Sequence, residues 1–255
     1  MASDQAVIDA PRTLRPAARP DGSGWSDEEK IVLACRMLAA EDHESVLPGL
    51  LTFRTAPDVF LTLPFGVGLD EVMPGDIVAV DRKLNLIRGE VAPSPAVGFA
   101  LAMHTRRPDA LCIIHTHAPF AAALSMLEEP LRVTHMDATM FFEDCAFLED
   151  WPGNPVSEVE GRIISEALGG KRAILLANHG LAVAGASIEE AAYLAVCFER
   201  AARMQIRARA VGRLKAIDPA LARDAHDFLT TPAVMTGVFR RFARQVLRRE
   251  PGCLG

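Results

Sequence analysis

The chain has 255 residues, of which 50% are hydrophobic and 24% are charged, and its formal net charge is −6. This composition is typical of a soluble globular protein and excludes collagen-like, fibrous and broadly disordered classes. The acidic balance argues against a nucleic-acid partner, and no apolar run approaches the roughly 20 residues that a membrane-spanning helix needs. We therefore expect neither nucleic acid nor membrane among its partners.

Residues 1–25 are rich in Pro, Arg and Asp, and they lack the long apolar segment of a secretory signal. They predict a flexible N-terminal arm with little apolar surface to bury. The five cysteines are scattered and form no CxxC pair, which favours a reducing, cytoplasmic location.

The first predicted helix covers residues 26–40. Ser26 and Glu29 have the spacing of a capping box, and apolar residues recur at helical intervals after them. Short apolar runs broken by Pro and Gly then predict strands within residues 52–80. The sequence therefore predicts that the first helix is followed directly by several short strands.

A second helix is predicted from Ser94 and Pro95, which have the chemistry of a cap and a first helical residue, to about His104. The following run "ALCIIHTHA" is β-branched and apolar, and it predicts a buried strand. Pro119 then begins another helix through "AAALSML". Residues 128–156 predict a loop-rich, aromatic region.

The second half of the chain repeats the pattern of caps, helices and strands. Ser157 and Glu160 predict a capped helix that stops at Gly169. "AILLANHG" and "LAVAG" predict two further strands, and Ser187 caps a long helix that ends near Val211. Strands and helices that alternate without an internal repeat indicate a single α/β domain.

The C-terminal part predicts one or two amphipathic helices over residues 224–248. Its basic stretch, residues 239–250, has the pattern of a segment that binds a membrane surface or an acidic partner. Because the whole chain is acidic, we favour packing of its apolar face on the body of the protein or on a neighbouring subunit. We accordingly divide the chain into an arm (1–25), a main domain (26–216) and a helical extension (217–255).

Two histidines, His115 and His117, end the strand "LCIIHTH". Residues two apart on a strand face the same side, roughly 6.6 Å apart, so both imidazoles can reach one ion. "ANHG" offers His179 as a third ligand, with Gly180 allowing a tight turn. From spacing alone, two hydrogen-bonded core or surface histidines remain an equal alternative.

The run "RRPDALCIIHTHA", followed further along by "AILLANHGLAVAGASIEEAAYLA", resembles the class II aldolase/adducin family over about residues 26–216. The resemblance implies that His115, His117 and His179 bind one divalent ion per chain, zinc first, with manganese and iron as alternatives. It also implies a three-layer α/β/α domain with a largely antiparallel central sheet. The family is commonly tetrameric, with the site at a subunit interface, so we expect a homo-oligomer.

The departures from that family bear on the reaction. The family's P-S-x-E segment reads Pro93-Ser94-Pro95-Ala96 here, so the metal-neighbouring, proton-transferring glutamate is an alanine. The position of a proton-donating tyrosine falls at Met136. The phosphate-binding G-N-x-S segment corresponds to residues 49–52, where an amide has become apolar; Ser94 and Thr52 are left as candidate substrate-binding residues.

These substitutions favour a small, unphosphorylated carboxylic acid as substrate and, among reactions, a decarboxylation, because it needs little beyond stabilised negative charge and one proton. Three alternatives stay open: an aldolase with a substitute acid or base, a non-haem iron oxygenase, and an inactive adducin-like binding or scaffold module.

Candidate proton donors lie in "VTHMDATMFFEDCAF", where carboxylates are mixed with Met and Phe. We select His135, Asp137 and Glu143, since an apolar setting can raise a carboxyl pKa into working range. The alternative for Glu143 and its neighbour Asp144 is that they are solvated loop charges. His104 is expected to be structural. His43 and His226 lie in charged stretches and are expected to be solvated.

Overall fold

The computed structural model describes residues 24–43, 45–46, 49–127, 129–153 and 158–255. Its α-helices are α1 (Asp27–Ala40), α2 (Val97–Arg106), α3 (Pro119–Ser125), α4 (Glu158–Leu168), α5 (Ile188–Val211), α6 (Pro219–Leu229) and α7 (Pro232–Arg249). Its strands are β1 (Leu50–Ala56), β2 (Val59–Thr62), β3 (Val78–Val80), β4 (Leu86–Arg88), β5 (Cys112–Thr116), β6 (Cys145–Leu148), β7 (Ala173–Leu176) and β8 (Gly180–Gly185). Short 3₁₀ helices cover Pro74–Asp76 and Met136–Phe141.

The strands form one sheet in the order β4-β3-β2-β1-β5-β8-β7-β6. Every neighbouring pair is antiparallel except β6 and β7, which are parallel. The largely antiparallel sheet implied by the resemblance is therefore confirmed. The two strands nearest the histidines, β5 and β8, lie side by side near the middle of the sheet.

Helices cover both faces of the sheet, which confirms the three-layer α/β/α architecture. On one face, α1, α3, α5 and α7 close a core that includes Cys112 and Ile114 of β5. On the other face, α2 and α4 pack together over a second core that includes Ile113. Successive β5 residues thus enter opposite cores, as the two-residue period of a strand requires.

The predicted helix caps agree with the structure at α1 and α5 and disagree with it at α2. Ser26 and Glu29 form the predicted capping box at the start of α1, and Ser187 accepts a hydrogen bond from the amide of Glu190 at the start of α5. The predicted cap Ser157 lies outside the described residues. The predicted start of α2 is wrong: the helix begins at Val97, because Ser94 and Pro95 form a preceding turn and the Ser94 hydroxyl accepts only from the Ala96 amide.

The C-terminal extension packs on its own chain. Helix α7 lies against α1 and α5 and buries Phe239, Phe242 and Val246. The ring of Phe239 meets Trp25 edge-on, and Arg36 of α1 pairs with Glu250 at 3.1 Å. The apolar face of the basic stretch is therefore used within the fold. Over the part of the chain that the structure describes, no helix combines the length and apolarity needed to cross a membrane.

Two histidines expected in solvent are buried or partly buried, so those expectations are wrong. His43 is fully buried, because the segment that follows α1 brings its Nδ1 to 2.8 Å from the hydroxyl of Thr116 in β5. His226 of α6 lies between Asp144 and Arg172, with its Nε2 3.2 Å from the Asp144 carboxylate. In both cases the partner is distant in sequence, so the charged neighbours along the chain gave a misleading signal.

Candidate metal centre

Three histidines meet at the ends of the two central strands. His115 lies in β5, His117 follows its last residue, and His179 lies in the turn between β7 and β8. Their ring centroids are 4.7 to 4.8 Å apart, and one ligand nitrogen from each lies within 4.8 Å of the other two. The structure thus brings together the three residues that the sequence singled out.

The ring of His115 is fixed by its surroundings. Its Nδ1–H donates to the carbonyl oxygen of Leu181 at 2.9 Å, so the lone pair of Nε2 is left facing His117, whose own Nε2 is 3.0 Å away. The ring of Phe99 from α2 packs edge-on against it at 5.0 Å. A hydrogen bond from the second ring nitrogen is the usual way in which a protein orients a histidine ligand.

The turn that carries His179 depends on two residues of "ANHG". Asn178 has a left-handed backbone with φ of 54°, a conformation that Asn tolerates better than most residues. A Cβ on Gly180 would lie 2.5 Å from the carbonyl oxygen of Thr116 and 2.9 Å from the His117 ring, so no side chain fits there. The tight turn is therefore made by Asn178 and not, as predicted, by Gly180. Gly180 instead permits the close approach of β8 to His117.

Burial keeps the three imidazoles neutral. It holds the pKa of His115 well below its usual range, and the neighbouring His179 and His117 lower that pKa further. Burial also lowers the pKa of His117 and brings the pKa of His179 to about 4, with a contribution from His117. Neutral imidazoles are the form that binds metal ions.

The cluster fits a divalent ion. The Nδ1 atom of His179 is buried and has no hydrogen-bond partner among the described residues. A buried, unpaired ring nitrogen is costly unless a further group satisfies it, and a metal ion would do so. Three histidines with remaining positions open is also a common ligand set of catalytic zinc sites.

An apolar cavity of about 280 Å³ lies against His115 and His117. Its wall is mostly carbon, from residues that include Leu50, Leu63, Phe65, Val67, Ala96 and Val97. Ser94 and Thr62 are the residues with hydroxyl groups in the lining. Apart from the two histidines, none of the described residues that line it is ionisable. Ala96, where the resemblance places a missing glutamate, is part of this wall.

The two predicted substrate-binding residues occupy different places. Ser94 lines the cavity. Thr52 is fully buried and does not line it; its hydroxyl lies 2.9 Å from Nε2 of His104, whose Nδ1 is 3.0 Å from the Ala110 carbonyl. Thr62, the cross-strand partner of Thr52, does line the cavity and donates its hydroxyl proton to the Leu51 carbonyl oxygen. No local sequence signal distinguished these two threonines.

The structure does not bring the predicted proton donors to the cavity of the same chain. His135 is half exposed and precedes the 3₁₀ helix Met136–Phe141, which packs against α5 and α6. Asp137 is exposed, and Glu143 forms an ion pair with Arg223. Asp144 is not a solvated loop charge as the alternative held, because it pairs with Arg172 across the starts of β6 and β7. Catalytic roles for His135, Asp137 and Glu143 stay predictions.

Comparison with known proteins gives one matching family model and several similar enzymes. Residues 29–206 match the family model described as "Class II Aldolase and Adducin N-terminal domain". Decarboxylase NovR of Streptomyces niveus is 29% identical over 181 residues, which cover 69% of this chain and 67% of NovR. The 4-hydroxy-3-prenylphenylpyruvate oxygenase/4-hydroxy-3-prenylbenzoate synthase of Streptomyces roseochromogenus subsp. oscitans is 29% identical over 69% of this chain and 65% of its own length.

Comparison with solved structures shows a similar fold in an aldolase. The L-fuculose 1-phosphate aldolase from Glaciozyma antarctica PI12 superposes with a TM-score of 0.82 and is 26% identical; the match covers 89% of this chain and 90% of the aldolase. The similar proteins thus include an aldolase, a decarboxylase and an oxygenase.

Proposed function

The chain belongs to the class II aldolase and adducin family, and from that premise we propose that it is a metal-dependent carbon–carbon lyase, foremost a decarboxylase of a small, unphosphorylated carboxylic acid. The similar decarboxylase supports the reaction class. The observation that carries the proposal is the chemistry of the cavity wall: beside the histidines stands Ala96, and none of the described residues that line the cavity carries a carboxylate, amine or guanidinium.

In this proposal His115, His117 and His179 hold one divalent ion, with zinc first and manganese or iron as alternatives. When bound, the ion would supply a Lewis acid that stabilises negative charge developing on a substrate oxygen. The chain's own contribution is to present three neutral imidazoles, one buried and two partly buried, and the buried one is oriented by the Leu181 carbonyl.

The apolar wall suits a decarboxylation better than a sugar-phosphate aldol reaction. In a decarboxylation the bond between the substrate carbon and its carboxylate breaks, carbon dioxide leaves, and the electron pair stays on the substrate until a proton arrives. No carboxylate is needed to start this step, whereas aldol chemistry needs an acid or base beside the reacting carbon. Leu50, Leu63 and Phe65 would hold the apolar part of the substrate and exclude water from it.

The proton has to come from outside the described lining of the cavity. We place it with His135, which is half exposed and does not line the cavity of its own chain, and propose that a neighbouring copy in a homotetramer brings this histidine to the cavity. A mixing experiment tests this arrangement: His117→Ala and His135→Ala protomers, each inactive alone, are co-assembled by unfolding and refolding together. Recovery of activity in the mixture is expected. Activity in His135→Ala homo-oligomers equal to wild type would remove the role of His135.

The reaction itself is tested with a panel of acids. Zinc-, manganese- and iron-loaded protein is incubated with aromatic and aliphatic 2-oxo and hydroxy acids, and released carbon dioxide is measured; sugar phosphates are tested in parallel for aldol cleavage. Carbon dioxide release from an unphosphorylated acid, lost in His117→Ala, is expected. Strong aldol cleavage of sugar phosphates would contradict the proposal, and a chain that binds no metal would favour an adducin-like binding module.

A second candidate, an iron-dependent oxygenase, is favoured by the similar oxygenase, and the three histidines can also serve as ligands for iron. It differs from the first in consuming oxygen. Oxygen uptake that requires ferrous iron and substrate together would select the oxygenase, whereas carbon dioxide release at the same rate without oxygen would select the decarboxylase.

A further inference from the structure

Helix α3 connects two of the three histidines. It begins two residues after His117 and ends at Ser125, beside the turn that carries His179. A rigid element between two ligands sets their separation, provided that both of its ends are held. Hydrogen bonds hold both ends of α3.

The first end is held by Glu199 of α5, a buried residue. Its carboxylate accepts hydrogen bonds from the backbone amides of Phe120 and Ala121 at 2.9 and 2.8 Å. A carboxylate at this place satisfies amides that lack partners in the first turn of a helix. The segment that follows His117 is thereby fixed to α5.

The second end is held through Ser125, which is 2% exposed. Its carbonyl oxygen accepts the amide of Asn178 at 2.9 Å, and its hydroxyl accepts the amide of His179 at 3.2 Å. The same hydroxyl donates to the Ala122 carbonyl at 2.7 Å, which fixes its orientation. One residue therefore binds two successive amides of the histidine-bearing turn.

We propose that Ser125 is a positioning residue of the metal centre: its hydroxyl holds the main chain of His179 at the distance from His117 that a shared ion requires. The inference rests on the proposed function, in which His179 is a ligand. Without the hydroxyl, the His179 amide keeps only its bond to the Leu176 carbonyl at 3.1 Å, and the left-handed turn at Asn178 is free to relax. Groups that orient metal ligands typically change metal affinity about 10- to 100-fold when removed.

The test uses the full chain, stripped of metal and titrated with Co²⁺, whose visible absorption reports ligand geometry. Ser125→Ala is expected to bind Co²⁺ about tenfold more weakly, with an altered spectrum. Ser125→Thr keeps the hydroxyl and should restore both, because Ser125 borders a cavity of about 520 Å³ that has room for a methyl group.

The matched control is Ser165→Ala. Ser165 is also buried and donates its hydroxyl proton to a carbonyl one turn back, that of Gly161 in α4. A loss of general stability would affect both alanine variants, whereas the spectrum should change only in Ser125→Ala. If Ser125→Ala does not fold, Ser125→Cys replaces it, since a thiol is a weaker acceptor of similar size; weaker Co²⁺ binding is again expected.

Three results would overturn the inference. One is wild-type affinity and spectrum in folded Ser125→Ala, or in Ser125→Cys where that variant is used. Another is an equal change in Ser165→Ala. In both, wild-type protein still binds Co²⁺, so the proposed metal centre stands. The third is a wild-type chain that binds no Co²⁺, which removes the metal centre and the positioning role together.

Discussion

The two sides of the candidate site are built differently. On one side, one buried and two partly buried histidines are fixed by β5, β8 and the turn between β7 and β8, with backbone hydrogen bonds at two of them. On the other side, the wall formed before and along β1, after β2 and before α2 presents carbon atoms and two hydroxyl groups. Among the described residues, no acid lines the cavity beside these histidines. In the proposed function metal binding and proton transfer are therefore separable, and substitutions on each side should have different effects.

The largest effect is expected from His117→Ala, which removes a ligand from the histidine side. Bound metal should fall from about one ion per chain to near zero, because two histidines with open positions bind divalent ions weakly. Turnover should fall to background with it. Elemental analysis of untagged protein measures the first, and carbon dioxide release the second.

The control for this variant is His226→Ala. His226 is also partly buried and hydrogen-bonded, but it lies with Asp144 and Arg172 rather than with the cluster. Metal content should stay at the wild-type value in this variant. Full activity without bound metal in His117→Ala would contradict the metal-dependent mechanism.

The next effect concerns the apolar side. Ala96→Glu places a carboxylate in the cavity wall, and its charge should repel the carboxylate of the substrate. We expect kcat/KM for the acid to fall about tenfold below that of Ala96→Gln, which adds the same volume without charge. Steady-state kinetics of the two variants give this ratio. A higher turnover in Ala96→Glu would instead show that the natural enzyme is limited by a missing acid, as an aldolase with a substitute base would be.

Features that depend on neighbours along the chain were predictable. The capping box of α1 and the alternation of β5 between two cores follow from residues close in sequence. The meeting of His115 and His117 with His179 required the pairing of β5 with β8, which sequence spacing does not specify. The family resemblance supplied the shared ligand set of the three histidines and the largely antiparallel order of the sheet, but not the identity of the strands that pair.

Features that depend on contacts between distant segments were missed. His43 lies among charged residues, and only the fold of the segment after α1 brings it to Thr116, 73 positions away. Asp144 and His226 are 82 positions apart. Ser125 gave no signal at all, because its role depends on where the turn of His179 lies in space. In each case a polar side chain is explained by a partner that local composition does not specify.

The next effect is on stability rather than on activity, and it should come from the buried polar pair of Thr52 and His104. Burial brings the pKa of His104 to about 4, from the usual 6.5, and the charges of Arg54 and Arg82 contribute to the lowering. Between these values the unfolded chain takes up a proton that the folded chain does not. The free energy of unfolding should therefore fall as the pH drops from about 6.5 to about 4, by up to about 3 kcal/mol from this group.

His104→Gln isolates that contribution, since it removes the titrating ring and leaves the other histidines in place. Urea unfolding of metal-free wild type and variant at pH 7 and pH 5 should give a smaller difference between the two pH values in the variant. Parallel loss of stability in both proteins would mean that His104 is protonated in the folded state.

The smallest effect separates two neighbouring threonines. Thr52→Val leaves Nε2 of His104 without its partner and should lower the free energy of unfolding by about 1 kcal/mol. KM should stay unchanged, because Thr52 is buried away from the cavity. Its cross-strand partner Thr62 is the matched control, since Thr62→Val changes a residue that lines the cavity. A raised KM in Thr52→Val with wild-type stability would restore the substrate-binding role predicted for Thr52. An unchanged KM with lower stability in Thr52→Val, together with a raised KM in Thr62→Val, would mean that of the two threonines only Thr62 belongs to the wall that the substrate contacts.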